Sequence, residues 1–383
     1  MQGNGVFSFQ NEKRLISIIS GFPENMCLTE SSFDSGMMFE ATFSGCSNLV
    51  SIPEGLFANY PNAKSFMSTF DGCSNLISIP QKLFARNSNV ENFLATFNRC
   101  SKLESIPAGL FANCPNVTNF YKIFSECSNL TSVPEGLFAN CSSVIDFEWS
   151  FSACNKLESI PLGLFENCTN VDTFAYTFSG CSNLTSIPER LFKDCVNVTS
   201  FLSTFSVCSK LTNIPEGLFA NCPNVINFND TFFRCSKLTN IPEGLFANCP
   251  NVVGFAVTFR ECSKLTNIPE GLFANCPNVL YFQETFCGVE DLTSIPVNLF
   301  ANCPNVTTFS STFFRCINLT SIPGNLFANC PNVTNFDYTF EECTSLTGNA
   351  PDLWNRVNVT SSHYCFHNCF GLSNYASIPS DWK

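Results

Sequence analysis

The chain is poor in charge and nearly devoid of histidine. Asp, Glu, Lys and Arg make up 13% of 383 residues, and His363 and His367 are the two histidines. There is no Ser/His/Asp set, no Gly-rich phosphate loop and no calcium loop. The sequence therefore reads as non-enzymatic, with no cofactor. Lys and Arg number 19 against 31 acidic residues, a formal charge of −12. No basic patch exists to replace phosphate counterions, which excludes a nucleic-acid partner and disfavours anionic lipid. No apolar run approaches the roughly 18 residues that span a bilayer, so membrane insertion is not expected. The opening MQGNGVFSFQ is not a signal peptide. An extracellular or cell-surface destination would need an export segment absent from this sequence, or another route.

What is abundant is a 27-residue repeat. Cys46, Cys73, Cys100, Cys127, Cys154, Cys181, Cys208, Cys235 and Cys262 are each 27 apart. Val289 takes the next slot, and Cys316 and Cys343 resume the column. A second column, from Cys114 to Cys330, has the same period, offset by 14. Fixed self-similarity of this length predicts a solenoid of stacked coils, about 13 of them, sharing one core. Apolar residues at 45%, with 43 Phe, suffice for that core.

Cys208, Cys235 and Cys262 each open the same 18-residue block, CSKLTNIPEGLFANCPNV. Across Cys235–Arg260 the apolar residues fall mostly three or four apart. That is not strand alternation, and Pro242 and Pro250 rule out one helix. The coil divides into two similar halves, one turning around Leu245-Phe246 and one around Thr258-Phe259. The pattern predicts two short parallel strands and two short helical or 3₁₀ turns per coil, with coils about 4.8 Å apart. The fold class is thus a repeat solenoid, mainly β to α/β. Residues 1–38 read as an N-terminal cap, 39–345 as the solenoid, and 346–383 as a degenerate last coil and C-terminal cap.

The phrase F-x-x-C-x-x-L-x-x-I-P, at Phe178 to Pro188, resembles the BspA-like leucine-rich-repeat surface proteins. So does Asn-Val-Thr-Asn-Phe-x-x-x-Phe-x-x-Cys at Asn116 to Cys127. The resemblance covers about residues 39–372. It implies a leucine-rich-repeat solenoid without catalysis, secreted or on a bacterial surface, adhering to a protein or glycan ligand of a host or another microbe. Two other readings stay open, a receptor-binding part of a phage tail fibre or appendage and a structural spacer.

Stacked equivalent cysteines have parallel Cβ vectors, unsuited to disulfides. The columns therefore read as buried free thiols, with Cys27, Cys287 and Cys365, outside both columns, as the more reactive ones. His363, Cys365, His367 and Cys369 are zinc-ligand types, but Cys369 is an ordinary column cysteine, and no metal is expected. The Asn-Val-Thr sites at Asn116, Asn197, Asn305, Asn332 and Asn358 read as asparagine ladders that satisfy corner backbone groups.

In the three near-identical coils the variation is confined to Ile226–Arg234, Val253–Glu261 and Leu280–Gly288. The outward Thr239-Asn240 and Glu243-Gly244 positions do not vary. The variable positions predict a ligand-facing stripe along the second strand and its following turn. Its candidate contact residues are Tyr121, Lys122, Trp149, Tyr176, Asp230, Val257, Glu284 and Tyr338, since exposed aromatics suit contact surfaces.

Overall fold

A computed structural model describes residues 8–18 and 39–383. By internal contacts the chain divides into two units. Unit 1 is Met1–Leu184 with Asp194–Asn197, and unit 2 is Thr185–Lys193 with Val198–Lys383.

Both units are stacks of the same coil, and each coil has two corners. At the Leu-Phe corner the chain folds through consecutive tight turns. Leu110 N–H donates to Pro107 O, Ala112 to Gly109 and Cys114 to Phe111, at 3.0–3.3 Å. Proline suits this corner because only its carbonyl is used. At the Thr-Phe corner Thr96 donates to Phe93, Asn98 to Ala95 and Cys100 to Phe97, at 3.1–3.3 Å. The intervening N–H groups leave the coil. Those of Phe93, Ala95, Phe97 and Arg99 donate to Asn119, Tyr121, Ile123 and Ser125 of the following coil, at 2.7–3.1 Å. Unit 2 repeats the pattern, with Phe228, Asp230, Phe232 and Arg234 donating to Gly254, Ala256, Thr258 and Arg260.

This alternation replaces the expected strands. Parallel pairing is present, but only as single-residue bridges. In unit 1 they run Ser65, Asn92, Asn119, Asp146, Thr173; in unit 2 they run Ser200, Asn227, Gly254, Tyr281, Thr308, Asn335, Ser361. A further unit 1 series joins Ser78, Ser105 and Ser132. Strands stop at one residue because a turn begins at once. Asn92, Asn119 and Asp146 each accept, through the side chain, the N–H two residues on, at 2.7–2.8 Å. That Asx turn diverts the backbone from a sheet ladder. The expected 3₁₀ turns are also absent from the described coils. Two 3₁₀ turns lie in the tail, at Tyr375–Ser377 and Ser380–Trp382.

The core is made of stacked like residues. In unit 1 Phe93 and Phe120 lie 5.8 Å apart at 2°, and Phe97 and Phe124 lie 5.6 Å apart at 5°. Phe111 sits against Phe120 at 4.8 Å and 55°. Unit 2 repeats these geometries, as in Phe228–Phe255 and Phe246–Phe255. Offset stacked and tilted pairs each add about 0.5–1.5 kcal/mol beyond area burial.

Polar ladders add a side-chain donor to carbonyls that already close turns at the Thr-Phe corner, and they satisfy left-over carbonyls at the other corner. Thr96 Oγ1 lies 2.8 Å from both Phe66 O and Phe93 O. Cys100 Sγ donates to Phe70 O at 3.3 Å, and Cys235 Sγ to Phe205 O at 3.2 Å. At the other corner Asn116 Nδ2 donates to Ser88 O and Asn140 Nδ2 to Ala112 O. The same asparagine ladders recur at Asn305 and Asn332 in unit 2, as the sequence predicts.

The first described segment is itself laid on a coil. Phe9 and Asn11 donate to Thr42 and Ser44, and the Phe9 ring stacks on Phe43 at 5.4 Å. At the other end the tail stands in for a coil. Phe366 N–H donates to Trp382 O, and the Trp382 ring meets Phe366 and Phe336 at 6.3 and 6.2 Å.

All 23 cysteines among the described residues are buried thiols outside any disulfide; Cys27 lies outside them. Cys287 and Cys365 are no exception, which corrects the expectation that they are reactive. Burial pushes the Cys287 thiol up to about 12, and Cys365 is raised well above its ordinary value, first by burial. Cys365 takes the slot of the buried threonines, one repeat on from Thr339. Burial also pushes Cys114, Cys168, Cys181, Cys222 and Cys276 up to about 12.

Unfolded, these thiols ionise near pH 8.5. Between there and about 12 the folded state holds more protons, so stability falls as pH rises. The loss is about 1.4 kcal/mol per thiol per pH unit, summed over many thiols. The urea midpoint should be level below pH 8, drop steeply above 9, and vanish near 10. A midpoint level to pH 10.5 would show that the thiols are not buried as described. Thiol titration in denaturant without reductant should find most cysteines free.

Candidate ligand-binding stripe

The turns of the Thr-Phe corner need a positive φ at their third position, a place favouring Gly or Asn. The sequence does not follow that preference. The first such column reads Ala41, Ser68, Ala95, Lys122, Trp149, Tyr176, Ser203, Asp230, Val257, Glu284, Ser311, Tyr338 and Tyr364, with φ between 52° and 62°. None is glycine. Four residues on, a second left-handed column uses it at Gly45, Gly72, Gly180 and Gly288 and keeps side chains at Arg99, Glu126, Ala153, Val207, Arg234, Glu261, Arg315, Glu342 and Asn368. A side chain in this conformation costs about 1–2 kcal/mol. Seven of the eight sequence-predicted contact residues occupy the first column, and Tyr121 precedes it by one.

In unit 1 the structure brings four of them together. Trp149 and Tyr176 stack face to face at 4.0 Å and 10°. Lys122 Nζ lies 5.1 Å from the Tyr121 ring centre and 5.4 Å from that of Trp149. Trp149 Nε1 donates to Glu148 Oε1 at 3.1 Å. Asp146, the Asx residue of this turn, has its carboxyl raised from the usual range, first by burial and also by Glu148 and Asp172. The group is an aromatic stack with one internal lysine, bordered by carboxylates.

In unit 2 Asp230, Val257 and Glu284 follow one another in the column. Asp230 is raised by burial and then by Glu284, against the opposing pull of Arg260. Arg260 pairs with Glu284 and, at 3.4 Å, with Glu261, which also holds Arg234 at 2.7 Å. Both guanidinium groups face the Phe233 ring, at 4.9 and 5.7 Å. Sequence reasoning missed these arginines, although they fall in its variable windows. It also missed Gly254. A Cβ there would lie 2.2 Å from Tyr281 Cε2, so glycine seats the Tyr281 ring of the next coil.

Tyr338 is not with these residues. It is 38% exposed and lies 5.9 Å from Tyr364 at 27°. Beside it Asp337 accepts Ser361 Oγ at 2.7 Å and the His363 backbone N–H at 2.7 Å. His363 Nδ1 lies 3.2 Å from Asp337 Oδ1 and 3.3 Å from Ser361 Oγ. Serine and aspartate meet the same ring nitrogen, and the serine proton goes to the carboxylate. That geometry does not pass a proton from serine through imidazole, so it is no catalytic triad. His367 Nδ1 is 3.0 Å from Glu341, while Cys365 and Cys369 are buried. The four zinc-type residues therefore do not converge.

The invariant outward positions have structural causes of their own. Thr239 Oγ1 donates to Thr212 O at 3.3 Å, and Gly244 has a φ of +67°. Their constancy does not separate a binding face from a drifting one. The glycine-free left-handed column takes over that part of the argument.

Stacked 27-residue coils with a Leu, Ile and Phe core define a leucine-rich-repeat solenoid. The profile of the BspA-type leucine-rich-repeat region matches in six copies, over residues 5–145, 51–252, 131–305, 227–350 and 290–383. The chain belongs to the BspA-type leucine-rich-repeat proteins. No curated protein matches it by sequence. Among solved structures it is similar to a leucine-rich-repeat protein of Bacteroides ovatus, at 19% identity over 90% of this chain and 85% of that one, with a TM-score of 0.35. A leucine-rich cell-surface protein of Faecalibacterium prausnitzii gives 18%, 82%, 86% and 0.32. A chain of the Toll–Spatzle complex of Drosophila gives 16% identity over 71% of this chain, with a TM-score of 0.36, and this chain spans 45% of its length. Among the described residues no helix is long and apolar enough to cross a membrane.

If the left-handed side chains are not kept for stability, Val257→Gly should stabilise. Relief of about 1–2 kcal/mol exceeds the 0.5–1 kcal/mol entropic cost of glycine. The urea midpoint should rise slightly, with Val257→Ala below it. A clear fall for the glycine variant would give Val257 a structural role.

Proposed function

We propose that this chain is a non-enzymatic binding protein, secreted or on a cell surface, that presents the left-handed column of each unit to a protein or glycan ligand. One observation carries the reading. Thirteen left-handed positions keep a side chain where glycine would relieve strain, and their side chains are the variable ones of the repeat. A spacer has no use for that arrangement. Family membership and the surface location of the Faecalibacterium prausnitzii protein support the setting. The acidic balance, with a net charge of −12, supports a partner other than nucleic acid.

The test is a glycan and protein array probed with the purified chain, followed by two variant sets. Replacing Trp149, Tyr176, Asp230 and Tyr338 with Ser or Ala should weaken a hit tenfold or more. Replacing the exposed Glu216, Glu243 and Glu270 should leave it within twofold. Loss confined to the glutamate set would place binding on the other face.

A further inference from the structure

The geometry points to a cationic side chain, the lysine or arginine of a partner protein, as the occupant of the unit 1 stripe. This deepens the proposed function and rests on its assignment of the stripe. Three observations support it. First, the site already binds a cation of its own. Lys122 Nζ lies over both Tyr121 and Trp149, and among the described residues it has no carboxylate at ion-pair distance. Its attraction is to the ring faces, which carry negative potential. Second, the surrounding charge has the opposite sign. Glu148 accepts the Trp149 indole N–H, and Glu148 and Asp172 both act on Asp146. Glu148 thus borders the indole directly, and the Asp146 carboxylate lies within its electrostatic reach. Third, the Trp149–Tyr176 stack covers one face of each ring. Lys122 lies over the Trp149 ring, so a flexible ammonium or guanidinium can take its place on a ring surface that already accepts a cation.

An anionic ligand would have to use Lys122 as its partner and tolerate these carboxylates. The two readings therefore predict opposite effects of removing Lys122. Its side chain carries none of the coil's backbone bonds, since the bond from Lys122 to Glu148 is made by the main chain.

The experiment uses the full chain, with calorimetry and Trp149 fluorescence as readouts. The probes are acetylated trilysine amide, triglutamate and cellotriose. Trilysine should bind and the other two should not. Glu148→Gln should weaken it about fivefold, Trp149→Ala should abolish it, and Lys122→Ala should strengthen it about threefold by freeing the rings. Added salt should weaken binding. Triglutamate binding that disappears in Lys122→Ala would overturn the inference in favour of an anionic ligand. Cellotriose binding would overturn it in favour of a glycan. Silence towards all three probes would also overturn it, while the array and its variant sets judge the stripe separately. Unchanged far-UV spectra of Glu148→Gln and Lys122→Ala confirm that the comparison is made between folded chains.

Discussion

Everything in the coil follows from the direction of the N–H groups at the Thr-Phe corner. Half of them close turns within the coil and half reach the next coil. Here that alternation goes with left-handed steps, as at Ala95 and Arg99. Those steps fall at fixed places, and they decide which side chains go inward. The phenylalanines and the threonine turn into the core, and the left-handed residues lie at its edge, from buried Ala95 and Ser203 to exposed Tyr338 and Tyr364. The threonine hydroxyl and the column thiol then find acceptors in phenylalanine carbonyls that already take a turn N–H, so neither polar group is buried without a partner.

The same constraint explains the cysteines. A slot beside a buried carbonyl, too small for leucine, is filled by a side chain that is mostly apolar and still a weak donor. Serine would hold a stronger dipole there and gain little from burial. Asn87 shows what a stronger donor needs in the other column, where its Nδ2 reaches the carbonyls of both Phe57 and Tyr60. The thiol ladder is thus a packing solution, and its high ionisation range is a consequence of burial rather than a sign of reactivity.

The sequence makes the period, both cysteine columns and the asparagine ladders legible, because each is a repeated residue type with a single job. Tyr121, Lys122, Trp149 and Tyr176 were legible as a stripe for the opposite reason, since variation at fixed spacing marks the surface of a repeat. What was not legible is backbone conformation. Left-handed positions are usually recognised by glycine, and this column holds Trp, Tyr, Val, Asp and Glu instead. The Asx turns at Asn119 and Asp146 were hidden likewise, because asparagine and aspartate there pass for surface residues of a strand. Two expected strands therefore became single bridges. The Arg260 cluster was missed because charge partners 24 to 27 residues apart are visible only once the coils are stacked.

A solenoid built this way separates what folds it from what it displays. The bonds from Lys122, Trp149, Asp230 and Val257 to the following coil are main-chain bonds, so a change of side chain there breaks none of them. The core phenylalanines two positions further on are held by stacking and stay the same, from Phe43 to Phe366. One backbone geometry consequently carries different surfaces. It bears an aromatic stack with a captive lysine in unit 1, and in unit 2 an arginine–carboxylate cluster over Phe233 and a tyrosine pair beside His363. The strain of about 1–2 kcal/mol per left-handed side chain is borne once per coil. The neighbouring left-handed column sheds it in part, with glycine at Gly45, Gly72, Gly180 and Gly288 and side chains at positions such as Arg99, Glu126, Val207 and Glu342. What sets the first column apart is the chemistry it bears, the Trp149–Tyr176 stack in unit 1 and the Tyr338–Tyr364 pair in unit 2, and the proposed recognition rests on that.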